Sequence, residues 1–154
     1  MLKNGPVVHT EGSSLGLKDG DNLNALSYGQ DPITRPPDKI PLYFSVDRVA
    51  VGLPGSDVHD QAKPGVEEAA GDVYTTLPPF GSNSLFIDEP QLGLTSEFFG
   101  DDLDALELDS EPNPYTYFSI DSLSATNFAM EGLDDDILVS KADGSFKTYA
   151  GTLI

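Results

Sequence analysis

Asp101, Asp102 and Asp104 crowd together behind a glycine in the stretch GDDLDAL (100–106), and Asp109 follows shortly after. Clustered carboxylates beside glycine are the donors that calcium takes, since it collects six to eight hard oxygens from Asp, Asn and backbone carbonyls in tight turns. A related phrase, GDNLNAL (20–26), occurs earlier and, with the acid before it, offers Asp19, Asp21, Asn22 and Asn24. Where an acid becomes an amide the oxygen and the size are kept and only charge is dropped. That exchange suits metal ligands, and it equally suits Asx side chains that cap turns. The spacing is not that of an EF-hand, which needs Gly at the sixth loop position and Glu at the twelfth. A further acidic knot, LDDDILV (133–139), contains Asp136, which aligns with Asp72 of the earlier half; these two are expected to share a role. Asp47 and Asp121 also align, at the ends of two YFS-like strands, where turn capping is the expected role. The sequence thus predicts calcium as the cofactor, with these acids and amides as its ligands or as turn caps.

Other chemistries find less support. There are no cysteines, which excludes thiolate metal sites and disulfides, and the two histidines, His9 and His59, leave too few ligands for a zinc or iron centre. GSDVHD (55–60) gathers Ser56, Asp57, His59 and Asp60, but triad members meet from distant segments and this loop has no nucleophile elbow. VGLPGS lacks the Lys and helix of a phosphate loop. A carboxylate pair for glycoside hydrolysis is open to any two acids, and nothing in the sequence selects two. The aromatic residues Phe98, Tyr115 and Tyr117 are candidates for a sugar-stacking platform, with core packing the alternative; there is no tryptophan to strengthen it.

Those residues need a scaffold, and the composition describes one. The chain has 154 residues, 38% of them apolar, enough for one folded domain with a core. Fifteen glycines and twelve prolines are scattered along it, the mark of many turns between short strands. The net charge of −18 opposes binding to phosphate backbones or anionic lipid, so nucleic acid and membrane surfaces are not expected partners. From residue 64 to residue 140 there is no Lys, Arg or His, so local ion pairs cannot neutralise the acids there. No apolar run reaches membrane-spanning length.

The two acidic phrases belong to a duplication. LGLKDGDNLNAL (15–26) lies over LGLTSEFFGDDLDAL (92–106), LYFSVD (42–47) over TYFSID (116–121), and GDVYTT (71–76) over DDILVS (135–140). VVHTEGSS precedes the first LGL as SLFIDEPQ precedes the second, and SFKTYAGTLI (145–154) looks like that run again. The period is about 65–77 residues, the size of a four-stranded unit with loops. Residues 1–88 are expected to form the first unit and 89–154 the second plus the start of a third, together one domain. Since the chain starts and stops at a similar phase, either a terminal strand closes the fold by pairing across the two units or the chain is a piece of a longer array, and the second is the expectation.

Strands are predicted at 7–10, 42–46, 73–76, 84–87, 115–120, 137–140 and 145–149, from β-branched and aromatic residues bounded by Gly, Pro, Asn or Asp. The Asp-Gly of KADGSF (141–146) marks a hairpin. LDALEL (103–108) switches its leucines between faces, which predicts a bulge or turn. PGVEEAAGDV has room for one helical turn, and no long amphipathic helix is expected.

The string LGL…DDLDAL…YFSID…DDIL resembles repeats of exported, mostly uncharacterised bacterial proteins, some with sorting tails or dockerin modules. The first unit's FSVDRVAVGLPGSDV…AAGDVY…NSLFIDEPQLGL resembles the same group, so the likeness covers nearly the whole chain and implies export but no activity. More loosely, DDDILVSKADGSFKTYAGT is similar to the FG-GAP repeats of integrin-type β-propellers, whose acidic loop binds calcium. The DxNGDG core of that loop is absent here, so no ligand position carries over.

The expected fold is all-β, made of two related, mainly antiparallel units like propeller blades, with a β-sandwich or barrel as the alternative. The expected function is an extracellular or cell-surface bacterial module, calcium-stabilised, structural or adhesive and without catalysis. Cell-surface proteins or glycans are the expected partners, with homo-oligomers or a longer array as its setting. A carbohydrate-binding module is the alternative, and a carboxylate-dependent glycoside hydrolase comes after it.

Overall fold

The computed structural model describes residues 11–29, 40–95, 100–109, 115–130 and 132–150. They form two four-stranded antiparallel sheets, so the fold is all-β. The first sheet holds β1 (Leu23–Ser27), β2 (Leu42–Val46), β3 (Val73–Thr76) and β4 (Ser84–Ile87); the second holds β5 (Leu103–Leu108), β6 (Thr116–Ile120), β7 (Ile137–Ser140) and β8 (Phe146–Ala150). In both, strand order follows chain order, a meander that tight local connections allow. Three short helices join them: α1 (Asp57–Gln61), α2 (Glu89–Leu92) and α3 (Ala125–Met130).

The duplication extends to register. Leu26 faces Phe44 in one sheet as Leu106 faces Phe118 in the other, and Phe44 faces Tyr74 as Phe118 faces Leu138. The irregularities repeat too. Register slips between Leu23 and Ala25 and again between Leu103 and Ala105, and between Val73 and Tyr74 as between Ile137 and Leu138. A bulge inserts one residue and turns the following side chains to the opposite face, which is why the leucines of LDALEL break alternation while still forming a strand.

The sheets pack against each other through Ala25, Val73 and Ile87 of the first and Leu103, Leu106, Phe118, Ile120 and Leu138 of the second, with Leu92 and Leu94 of the connecting LGL between them. Full burial of each large side chain contributes about 1.5–3 kcal/mol, so this seam is the main tie between the units. A second cluster covers the other face of the first sheet, where Leu42, Phe44, Val46 and Tyr74 meet Leu15, Leu17 and Val58.

The LGL glycines have a structural reason. Gly16 ends the 3₁₀ turn Gly12–Leu15 at φ 77°, and Gly93 ends α2 at φ 86°. A Cβ on Gly93 would stand 2.8 Å from the Ser145 Cα, and one on Gly16 would stand 2.7 Å from the Asn83 side chain. Only glycine offers both the left-handed backbone and the room.

Several expectations need correction. LNALS (β1) is a strand although nothing in it is β-branched or aromatic. PGVEEAAGDV makes turns rather than a helical turn, and Glu67 within it has φ 58°. The helix lies earlier, in DVHDQ, where Ser56 caps it by accepting the His59 N–H. The predicted strand at 7–10 lies outside the described residues.

Candidate functional site at the seam

Asp21 and Asp101 occupy equivalent places and do equivalent work. The Asp21 carboxylate accepts the N–H of Lys18 at 2.7 Å and those of Val51 and Gly52, both at 2.9 Å. The Asp101 carboxylate accepts the N–H of Thr95 at 3.0 Å and of Thr126 at 2.8 Å, and also the Thr126 hydroxyl. Lys18 and Thr95 each follow an LGL, and Gly52 and Thr126 each sit five residues beyond the aligned Asp47 and Asp121. Each acid therefore clamps the segment after the glycine turn to the loop that leaves β2 or β6. Asp47 and Asp121 cap that loop in turn, accepting the N–H of Val49 at 3.2 Å and of Leu123 at 2.8 Å.

The remaining candidates divide by position. Asn22 donates to Asp47 at 2.8 Å within the first unit, whereas Asn24 reaches across the seam and donates to Asp102 at 2.6 Å. Asp19 is exposed in the turn before β1, and Asp109 is exposed at the end of β5. Asp72 is fully buried, accepting the Glu89 N–H at 2.8 Å and the Tyr74 hydroxyl at 3.1 Å. Its aligned partner Asp136 is half-buried and accepts the Thr148 hydroxyl at 3.4 Å, so the two differ in setting. Tyr115 and Tyr117 lie side by side with ring centroids 6.4 Å apart, and Tyr117 meets Tyr149 edge-on at 5.1 Å. Phe98 lies outside the described residues.

Three acids gather at one end of the seam: Asp102, Asp104 and Asp121. The guanidinium of Arg48, from the first unit, stands among them, 2.8 Å from Asp121 and 3.7 Å from Asp102. It also donates to the Ser124 hydroxyl at 3.3 Å. Burial pushes the Asp102 carboxyl up to about 6, with the charges of Asp121 and Asp104 adding to the rise and Asn24 and Arg48 opposing it. Burial and the charge of Asp121 likewise raise Asp104. Among the described residues no group of three or more His, Asp or Glu is arranged to hold a metal ion.

Deeper in the seam is a carboxyl pair the sequence reading did not single out as one. Glu89, the first residue of α2, is fully buried; one of its oxygens accepts the Asp101 N–H at 2.6 Å and the other has no hydrogen-bond partner. Gly71 makes the room, since a Cβ there would stand 2.5 Å from the Glu89 carboxyl carbon. Burial pushes Glu89 up to about 9 and Asp72 up to about 8, so both carboxyls hold their protons near neutral pH. The signal in the sequence was faint: a Glu after Asp, before Pro, in FIDEPQL.

The loop with the triad-like composition is a helix cap. Ser56 is buried and its hydroxyl accepts the His59 N–H at 3.2 Å, Asp57 accepts the Leu85 N–H at 2.7 Å, and the His59 ring lies 3.1 Å from the Val51 carbonyl. Beside it a cleft of about 400 Å³ is lined by Val49, Ala50, Val51 and Ala62, with Arg48 and Glu67 as its charged groups. No described helix is long and apolar enough to cross a membrane. Compared with protein-family models, with curated proteins and with solved structures, the chain matches none.

Proposed function

We propose that this chain is a non-catalytic structural module of an extracellular bacterial protein, whose acids serve to fasten repeated β-units rather than to turn over a substrate. The observation that carries this reading is the matched pair Asp21 and Asp101. Each spends its carboxylate on three donors, at least two of them backbone N–H groups of segments far apart in sequence. An acid so engaged holds backbone in place, and its repetition in both units makes it part of the building plan. The export called for by the resemblance of the LGL…DDLDAL strings fits such a role, as does the surplus of charge.

Calcium enters the proposal through charge. Asp102, Asp104 and Asp121 face one guanidinium, so the cluster keeps an excess of negative charge when all three are ionised. A divalent ion near the exposed Asp104 carboxylate would offset what Arg48 leaves.

The deciding measurement is thermal unfolding with a chelator, then with millimolar calcium, with magnesium as the control. An ion that binds only the folded form at 100 times its dissociation constant adds about 2.7 kcal/mol, several degrees at this size. A calcium-specific rise that Asp104→Asn removes supports the cation part. Equal responses to both metals reduce it to screening. Hydrolysis of any glycan by the purified chain would overturn the non-catalytic reading.

A further inference from the structure

We propose that the seam between the two sheets is one instance of a head-to-tail contact, and that the β1 strip left open on the first sheet and the face left open on the second bind each other in a second copy of this chain. The proposal rests on the reading of the chain as a structural module and is independent of calcium.

The duplication lets each seam residue be compared with its counterpart, and burial separates them by face. Leu103 and Leu106 are 0% and 7% exposed where the second sheet meets the first, while their counterparts Leu23 and Leu26 are 39% and 44% exposed. On the opposite side the asymmetry reverses. Val73 is 0% exposed where the first sheet meets the second, and its counterpart Ile137 is 46% exposed. Ala25 is buried and its counterpart Ala105 is exposed. The first unit therefore leaves open the β1 strip of Leu23 and Leu26, whose counterparts the second unit uses, while Leu15, Leu17 and Val58 cover the rest of that face; the second unit keeps open a face of the kind the first uses. The seam joins unlike faces, so a molecule built this way carries one of each.

The surface details match. On the seam side of the first sheet Tyr43 meets Phe86 in a tilted pair at 4.7 Å; on the open side of the second, Tyr117 meets Tyr149 in the same places, and Tyr149 is 65% exposed. Asn24 donates to Asp102 across the seam, an amide meeting an acid. The counterpart positions are Asp104 and Asn22, again an acid and an amide with donor and acceptor exchanged, although Asn22 already donates to Asp47 within its own unit. The Ser45 hydroxyl donates to the Leu103 carbonyl at 3.0 Å, and the leftovers are Ser119 and the Leu23 carbonyl. Arg48 has no such successor, since Ser122 stands in its place. The contact between copies is thus weaker than the internal seam, and the net charge of −18 opposes it further. Unlike faces that match propagate from copy to copy and either close into a ring or extend.

The test is sedimentation of the full chain over a concentration series at low salt and at about 1 M salt, where charge repulsion is screened to about 3 Å. Two variants block one face each: Leu23→Asp with Leu26→Asp, and Ile137→Asp with Tyr149→Asp. Circular dichroism checks that each is folded; the milder Leu26→Ser and Tyr149→Ser replace any that is not. The expected result is assembly of the wild type that strengthens with salt, monomers for each variant alone, and a species of twice the monomer mass and no larger when the two variants are mixed. A wild type that stays monomeric at high salt, a variant that still self-associates, or a mixture of folded variants that stays monomeric would each overturn the proposal. Failure to assemble with the calcium response intact would sink this inference alone and leave the cation proposal standing.

Discussion

The Arg48 guanidinium lies 2.8 Å from Asp121, joining a loop of the first unit to the matching loop of the second. Its counterpart in the second unit is Ser122, and the counterpart of Asp121 is Asp47, which takes an amide from Asn22 instead. Arg48 is thus an ion-pair partner that the first unit supplies and the second does not repeat.

Replacing Arg48 by Ala should destabilise the chain by about 1–2 kcal/mol, because Asp102 and Asp121 lose their partner while still partly shielded from water. The side chain is 21% exposed, which keeps the cost below that of a fully buried pair. Arg48→Lys keeps the charge and should recover part of the loss. Urea unfolding of the three proteins measures this, and equal midpoints for wild type and Arg48→Ala would mean that the pair contributes nothing.

The two clamp acids should differ in cost. Asp101 is buried and Asp21 half-buried, so Asp101→Ala strands its donors away from water and should cost about 2–4 kcal/mol, against about 1–2 for Asp21→Ala. Chemical denaturation of both variants gives the order. A larger loss at Asp21 would point to something at that site beyond the backbone clamp.

Gly93→Ala should be severe, at about 2–4 kcal/mol, since it combines a left-handed backbone with a Cβ 2.8 Å from the Ser145 main chain. Gly20→Ala is the control: it shares the positive φ, at 99°, but a Cβ there meets nothing within 4 Å. The difference between the two melting temperatures isolates the close approach from the backbone strain.

Stability should fall as pH rises from weakly acid to alkaline. Burial raises Asp72 from 3.8 to about 8 and Glu89 from 4.5 to about 9, so the folded chain holds protons that the unfolded chain releases. Their contribution is complete below about pH 4 and is lost as pH climbs through 8 and 9, at up to about 1.4 kcal/mol per pH unit for each group. Glu89→Gln keeps an oxygen for the Asp101 N–H and removes one titration, so its stability should depend less steeply on pH. Unfolding midpoints from pH 5 to pH 9 compare the slopes, and parallel curves would show that Glu89 does not hold the proton.

The pattern of the sequence carried the second, third and fourth strands of each sheet, and LYFSV and TYFSI among them put large apolar groups at alternate positions on a face that is buried. It was weakest at β1 and β5, where LNALS and LDALEL owe their strand state to pairing with β2 and β6 and where a bulge disrupts alternation. Asp21 and Asp101 were recognisable as paired acids, and turn capping was one of their two expected roles. That they clamp the loops leaving β2 and β6 depends on a fold that brings residues 21 and 52, or 101 and 126, within hydrogen-bond reach. Glu89 was invisible as a buried acid: its sequence neighbours look like a solvated helix start, and only the close approach of Gly71 encloses it.

Because each sheet is a meander, the first is complete once Ile87 has left the ribosome, whereas its partner's Leu138 is some fifty residues behind. At the usual pace of synthesis that is a delay of roughly 3–10 s. During it Ala25, Val73 and Ile87 have no cover, and the second sheet of a neighbouring nascent chain fits them as well as the chain's own. The architecture therefore carries a built-in route to exchanged dimers, and slow translation on a message densely loaded with ribosomes is the condition under which it would open.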